Sequence, residues 1–406
     1  MVILKINILD SFLFYQYKHM INQLRNKTLY SFIIACSIVL FTMINQKGLT
    51  SLLISLSFIY VFGQYLIMYH NQRIGSIYVH LIFTSICFVF LNVSISGLGG
   101  FDYYKKAIMY IATLFWMACC IHTKISRKTA ISIFILNIVI NVIYIIFYRQ
   151  GFSIFEGQKL LSLNFLNPNQ AGMFILNSLL YIGIFLVAAD DIWTDKKRIR
   201  RIQFFVLPLF IFIIYLMYLT GCRSSMLSLL AFLGLVIVDH ILEHGLILKK
   251  WMLFLVAIFP FLFAIIYINY IDLFDFDVSM GIEDAGKSST TRVSVWAPVI
   301  DNISYYLICG DYYGISNGTG FSQLHNTHVD VFASYGLIPF VLFVTILYKV
   351  LCKSMRHSIC RFQRVSLFAF VACMTSCTFE ASLVAGSGGL FLFTLGFLLL
   401  ANYQKS

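Results

Sequence analysis

A chain of 406 residues that is 60% hydrophobic and 11% charged, with a mean hydropathy of +0.86, is far more apolar than a soluble domain, in which roughly 45–50% apolar and about 25% charged residues are usual. The composition excludes a water-soluble fold and makes the bilayer the solvent. The formal net charge of +12 would raise nucleic acid as a partner in a soluble chain; in this one it reads as orientation, and no nucleic-acid partner is expected.

A helical crossing needs about 20 apolar residues, and in lipid each backbone polar group must be satisfied within its own segment. The repeated apolar runs therefore predict an all-α polytopic membrane protein of about twelve transmembrane helices. A cytoplasmic N-terminal segment covers 1–28, without the pattern of a cleaved signal peptide. Spans follow near 29–46, 50–69, 77–98, 107–122, 129–148, 170–189, 204–221, 224–241 and 251–270. A large extracytoplasmic loop occupies 271–327, and the last spans lie near 329–348, 365–385 and 387–403, before a cytoplasmic tail at 404–406. Cytoplasmic loops are enriched in Lys and Arg. With the N-terminus inside, 21 of the 29 basic residues fall inside, including the runs Lys196–Arg201 and Lys349–Arg364.

Two outer loops, 149–169 and 271–327, exceed simple connections, and long loops in compact proteins are usually functional. The second is acidic at its start and rich in glycine and aromatics at its end, which predicts short helices on the membrane surface. No internal repeat is visible. Ten cysteines without a CxxC pair or Cys/His spacing predict neither a disulfide framework nor a zinc site.

Five places could carry chemistry. Thr220-Gly221-Cys222-Arg223-Ser224-Ser225 joins two apolar helices with almost no loop and holds Arg223 at the membrane boundary. A guanidinium there either snorkels or binds phosphate oxygens bidentately, beside the free N–H groups of the next helix. The stretch from Gly318 to His328 brings His325, Asn326 and His328 to the mouth of the bundle, where a histidine can exchange protons near neutral pH or serve only as a polar interfacial residue. Arg292 and Trp296 lie four apart, on one face of a helix, for cation–π stacking or for sugar stacking on the indole. Asn167-Pro168-Asn169-Gln170-Ala171-Gly172 reads as a turn opening the sixth span, with Asn169 as N-cap and both amides able to meet sugar hydroxyls. Glu380 is the acid assigned to a membrane segment, and such residues are functional candidates. Asp275 and Asp277 resemble a metal-binding acid pair, but an acidic loop explains them as well, so no metal is assigned.

Together these pieces resemble the O-antigen ligase and polymerase family of bacterial envelope glycan assembly. TGCRSS at 220–225 is similar to the family's T-G-S-R-[SG] turn, with Cys222 in place of serine. RVSVW at 292–296 is similar to the R-x-x-x-W of its large outer loop. His325-Asn326, nine residues and then Gly336 is similar to its H-[NSR]-x9-G core, with Pro339 where Gly, Thr or Tyr is usual. The likeness covers roughly residues 160–345. It implies the all-helical type C glycosyltransferase bundle in a bacterial cytoplasmic membrane, active on the extracytoplasmic face. It also implies inverting transfer of a glycan from a polyprenyl diphosphate-linked oligosaccharide to an acceptor hydroxyl, without cofactor or metal. Under that likeness His325 is the base, and Arg223 and Arg292 hold the diphosphate. Asn167, Asn169, Trp296, Asn326, His328 and Glu380 bind substrate, and a flippase and a chain-length regulator are protein partners. A polymerase of capsular, exo- or O-antigen polysaccharide is favoured over a ligase. The competing class is a transporter of lipid-linked oligosaccharide, which would be expected to show repeats and polar residues near the midplane.

Overall fold

The computed structural model describes residues 76–95, parts of 107–118, 127–270, 289–311, 324–379 and 390–402, apart from a few positions within those ranges. The expected spans at 29–46 and 50–69, with Asp275, Asp277 and Glu380, lie outside the described residues.

The described chain is mostly helical, in the order α1 (Ser76–Ile95), α2 (Arg127–Tyr148), a hairpin of β1 (Phe152–Phe155) and β2 (Gln158–Leu161), α3 (Pro168–Ala188), α4 (Lys196–Leu219), α5 (Arg223–Ile241), α6 (Lys250–Asn269), α7 (Ser289–Asp301), α8 (Ile303–Tyr306), α9 (Thr327–Tyr335), α10 (Leu337–His357), α11 (Arg361–Phe379) and α12 (Leu390–Ala401). Further helical residues lie within 107–118. Seven of these helices, α2 to α6, α10 and α11, are long and apolar enough to cross a membrane. The chain is an all-α membrane-embedded protein, since its outer helices expose Phe204, Phe205, Ile211 and Tyr215 on α4, and Ile237 and Ile241 on α5. In water that apolar surface would cost about 25 cal/mol per Å²; against lipid it costs nothing.

Two helices form the centre. α3 and α11 are buried along most of their length, whereas α4, α5 and α6 turn most of their surface outward. Small residues let the backbones approach. A Cβ on Gly172 would collide with Cys222, and one on Gly183 would meet the Phe232 ring, so α3 and α5 run parallel with their N-termini at one end. α11 runs antiparallel to α5, because Arg364 near its start pairs with Asp239 near the end of α5. α2 is antiparallel to α3, with Phe134 against Tyr181 and Phe185, and Tyr144 against Phe174. The bundle thus has an Arg223 end and an Asp239 end.

Several boundaries differ from expectation. Asp195 caps α4 by accepting from Arg198 N at 3.0 Å, so Lys196–Arg201 form the first turns of the helix rather than a loop. The tenth span does not start at 329: α9 ends at Gly336, whose φ of 88° and ψ of −178° stop the helix, and the crossing helix α10 runs from Leu337 to His357. Lys349, Lys353 and Arg356 consequently sit on its last turns, where cations suit the helix dipole. The loop 149–169, expected to be more than a connection, contains the antiparallel hairpin, with Phe152 opposite Leu161 and Phe155 opposite Gln158.

Candidate functional site at the Arg223 end of the bundle

Three of the motifs read from the sequence begin helices at this end. α3 opens at Asn167, whose Oδ1 accepts from Asn169 N at 2.8 Å, and Pro168 follows at the first helical position. The expectation that Asn169 caps the helix is corrected. Proline lacks an N–H and favours that first position, so the cap is the residue before it.

α5 opens after a turn in which Gly221 has φ 64°. Thr220 holds the turn from inside: its hydroxyl donates to Met217 O at 2.7 Å and accepts from Cys222 N at 3.2 Å. Cys222 is the buried N-cap and makes no side-chain capping bond. Its Sγ instead lies 3.1 Å from Ser225 Oγ, 3.4 Å from Ser224 Oγ and 3.7 Å from Asn169 O. The thiol therefore joins the α3 opening to the α5 opening. Arg223, the first residue of α5, is exposed.

α9 begins differently. His325 adopts φ 50° and is half-buried; a positive φ is uncommon outside glycine, and such backbone strain concentrates at functional sites. Asn326 is fully buried and caps the helix, its Oδ1 accepting from His328 N and Val329 N, both at 3.0 Å. Its Nδ2 donates to Pro260 O at 2.8 Å and Thr378 O at 3.0 Å. His328 is also fully buried, with Nε2 2.7 Å from Ala257 O. A carbonyl only accepts, so Nε2 carries the proton. Pro260, which gives the α6 ladder no N–H, stands at this contact, and its own carbonyl and that of Ala257 receive the α9 side chains.

Trp296 likewise belongs to the interior. Its indole N–H donates to Leu324 O at 2.6 Å, its ring packs edge-on against Tyr267 at 5.7 Å, and no part of it is exposed. Asn326, His328 and Trp296, expected at the sugar, are enclosed by the protein: Trp296 ties α7 to the approach of α9, and Asn326 and His328 tie α9 to α6 and α11. Arg292 lies on α7, one turn before Trp296.

The start of α9 is recessed. His328 packs against Phe343 at 5.2 Å and Phe332 against Phe340 at 5.8 Å, so α9 runs antiparallel to α10 with its N-terminus deeper. Phe343 lies six residues into α10, about 9 Å below its first residue at 1.5 Å per residue. The mouth above is fixed by Asp311 N donating to Ala333 O at 2.7 Å and Leu337 N to Leu307 O at 3.0 Å. Tyr305 donates to Asp311 Oδ2 at 2.8 Å, and that carboxylate holds the tyrosine hydroxyl above its ordinary range.

Besides Glu380, which lies outside the described residues, sequence reasoning passed over two buried acids in helices. Asp330 is buried on α9, with Leu324 N 3.4 Å from its Oδ1. Asp239 is buried at the far end of α5. Each stood in view inside an apolar run; the signal overlooked was a charge within a segment assigned to lipid. No protein-family model and no curated protein matches the chain.

The N-termini of α3 and α5 thus lie together at one end, with Arg223 exposed, and the recessed start of α9, with His325 half-buried, lies toward the same end against α6, α10 and α11. The α5 N-terminus, which no side chain caps, presents N–H groups and a partial positive charge suited to an anion, whereas the N-termini of α3 and α9 are capped by Asn167 and Asn326.

Proposed function

We propose that the chain is a membrane glycosyltransferase of the O-antigen polymerase and ligase type, joining polyprenyl diphosphate-linked oligosaccharide units into capsular, exo- or O-antigen polysaccharide. The observation that carries the reading is the convergence at one end of α3 and α5, which run parallel, together with the recessed start of α9. A diphosphate anchored in a bilayer must meet its cations at the membrane boundary, and Arg223 with the adjoining α5 N-terminus supplies a bidentate guanidinium and helix-terminal N–H donors. Arg292 is the second cation of this reading, opposing the charge that develops on the leaving group. His325 takes the proton from the acceptor hydroxyl, and its half-exposed position distinguishes it from the enclosed His328. The fold is of the type C glycosyltransferase kind with about twelve spans, in a bacterial cytoplasmic membrane, working on the extracytoplasmic face.

One feature favours a second reading, a transporter of lipid-linked oligosaccharide. α9, Gly336 and α10 form a discontinuous helix pair, a device by which transporters place helix ends within the membrane. Detergent-solubilised protein separates the two, because transfer needs no closed membrane and transport does. Purified wild type given a polyprenyl diphosphate oligosaccharide is expected to lengthen the glycan. Arg223→Lys, which keeps the charge and loses the fork, is expected to fall with Arg223→Ala. His325→Ala is expected to lose about 10²–10⁴-fold in rate, the range of an acid–base group. No glycan lengthening by folded wild type sinks the transferase. Activity of Arg223→Lys and Arg223→Ala at the wild-type level would make Arg223 a snorkelling residue.

A further inference from the structure

The hairpin after α2 is built with one anchored strand and one presented strand. Leu160 and Leu161 of β2 are buried, as is Leu163 beyond it. Tyr144 donates to Leu163 O at 3.0 Å, while Ser162 N and Leu163 N donate to Gly151 O at 2.8 and 3.0 Å. The base of the hairpin is thereby fixed to the end of α2. On β1, Phe152 is 39% and Ile154 81% exposed, and Ile154 stands opposite Lys159, so the two share a face. The Lys159 Nζ lies 5.5 Å from the Phe152 ring centroid.

An isoleucine this open on a structured hairpin is costly in water, by about 25 cal/mol per Å². The preceding helix shows where such surface belongs. Ile135, Val139, Ile143 and Phe147 form an exposed apolar stripe along α2, which crosses the bilayer, and Phe147, at 80% exposure, lies five residues before Phe152. The hairpin continues that lipid-facing surface beyond the helix end. It cannot lie in hydrocarbon, because in a two-stranded sheet each strand leaves an edge of backbone groups unpaired, and lipid does not tolerate open edges. The headgroup layer satisfies both demands: water for the edge, acyl boundary for Ile154 and Phe152. The exposed cations Arg149 and Lys159 match the phosphates found at that depth.

We infer that the hairpin 152–161 lies on the bilayer, with Phe152 and Ile154 set at the acyl boundary and Lys159 among the phosphates of the leaflet at the Arg223 end. This contact holds the α2–α3 connection, and with it the start of α3, at a set height in the membrane. It does not depend on the proposed transfer reaction.

The test uses the full-length protein in vesicles, with an environment-sensitive fluorescent amino acid incorporated at Ile154 and, as a hydrocarbon reference, at Ile211, exposed midway along α4. Lipids brominated near the headgroup end of the acyl chain are expected to quench the probe at 154 more than lipids brominated near the chain terminus, and aqueous iodide is expected to quench it weakly. The order of the two brominated lipids reverses at 211. Adding anionic phospholipid strengthens the quenching at 154, and Lys159→Glu removes that response. Strong iodide quenching without lipid quenching would overturn the inference, because the hairpin then projects into water. Silence to both quenchers would overturn it too, by showing the face covered by protein. A response to anionic lipid that survives Lys159→Glu would overturn the phosphate pairing.

Discussion

Both ends of the Asn326 side-chain amide are bonded within the protein: the oxygen to two backbone N–H groups of α9, the nitrogen to carbonyls of Pro260 and Thr378. The residue is thus both a helix cap and a clamp between α6, α9 and α11. The two roles separate by substitution. Aspartate is as good a cap as asparagine, but it puts an acceptor where the two carbonyls need a donor. Asn326→Ala is expected to lower stability by about 2–4 kcal/mol, a lost cap plus unpaired buried polar groups, and Asn326→Asp by a similar amount, because it keeps the cap but sets a buried carboxylate against the two carbonyls. Thermal unfolding in detergent measures it, and recovery of wild-type stability by Asn326→Asp would reduce the residue to a cap. His325→Ala is expected to stay within about 1 kcal/mol of wild type, as removal of a half-buried side chain outside the core generally does. The neighbouring positions thereby divide into a half-exposed His325 and an enclosed Asn326 and His328, a division invisible in the string His-Asn-Thr-His and set by which side chains α6 and α11 enclose.

At the scale of elements, a buried carboxylate fastens α5 to α11 at the far end of the bundle. Asp239 accepts from Arg364 Nε at 2.9 Å and Nη2 at 3.4 Å, and from Leu246 N at 2.7 Å, with Arg361 Nε a further 3.9 Å contact. The Asp239 side chain is 1% and the Arg364 side chain 15% exposed, so removing either strands a charge. Gly245, at φ 74°, packs on the guanidinium and leaves no room for a Cβ. Asp239→Leu and Arg364→Leu are each expected to cost about 3–5 kcal/mol, and the double substitution less than either, since a buried ion pair replaced as a unit is often neutral. Urea or detergent unfolding of the three variants decides it; a double variant no more stable than the singles would mean that packing, not charge, fastens α5 to α11. This pair was hidden in the sequence because its members are 125 residues apart. The apolar runs themselves were legible: α3, α5 and α6 begin and end within two residues of the expected spans, since about 20 apolar residues admit little else. What periodicity could not give was the break at Gly336, where a single backbone angle divides α9 from α10, or the hairpin, whose short strands carry too few residues for a period.

For the whole molecule, the sequence showed the motifs but not why they meet. The openings of α3 and α5 come together because Gly172 lets α3 lie parallel to α5 against Cys222, and the start of α9 is held toward the same end because its polar side chains dock on α6 and α11. The same arrangement predicts orientation. The basic runs Lys196–Arg201 and Lys349–Arg364, with Arg127, Lys128, Lys249 and Lys250, all fall at the Asp239 end, whereas Arg149, Lys159, Arg223 and Arg292 belong to the other. Cytoplasmic ends collect Lys and Arg, so the Arg223 end is expected to face away from the cytoplasm. Alkaline phosphatase joined after Tyr270 is expected to be active, and joined after Leu248 or His357 inactive; a fluorescent protein at the same junctions is expected to give the complementary pattern. The reversed pattern, with the fusions made in equal amounts, would put Arg223 and His325 in the cytoplasm. A polymer assembled there would need a separate export step, and the proposed reaction on the outer face would be excluded even if purified protein transferred glycan.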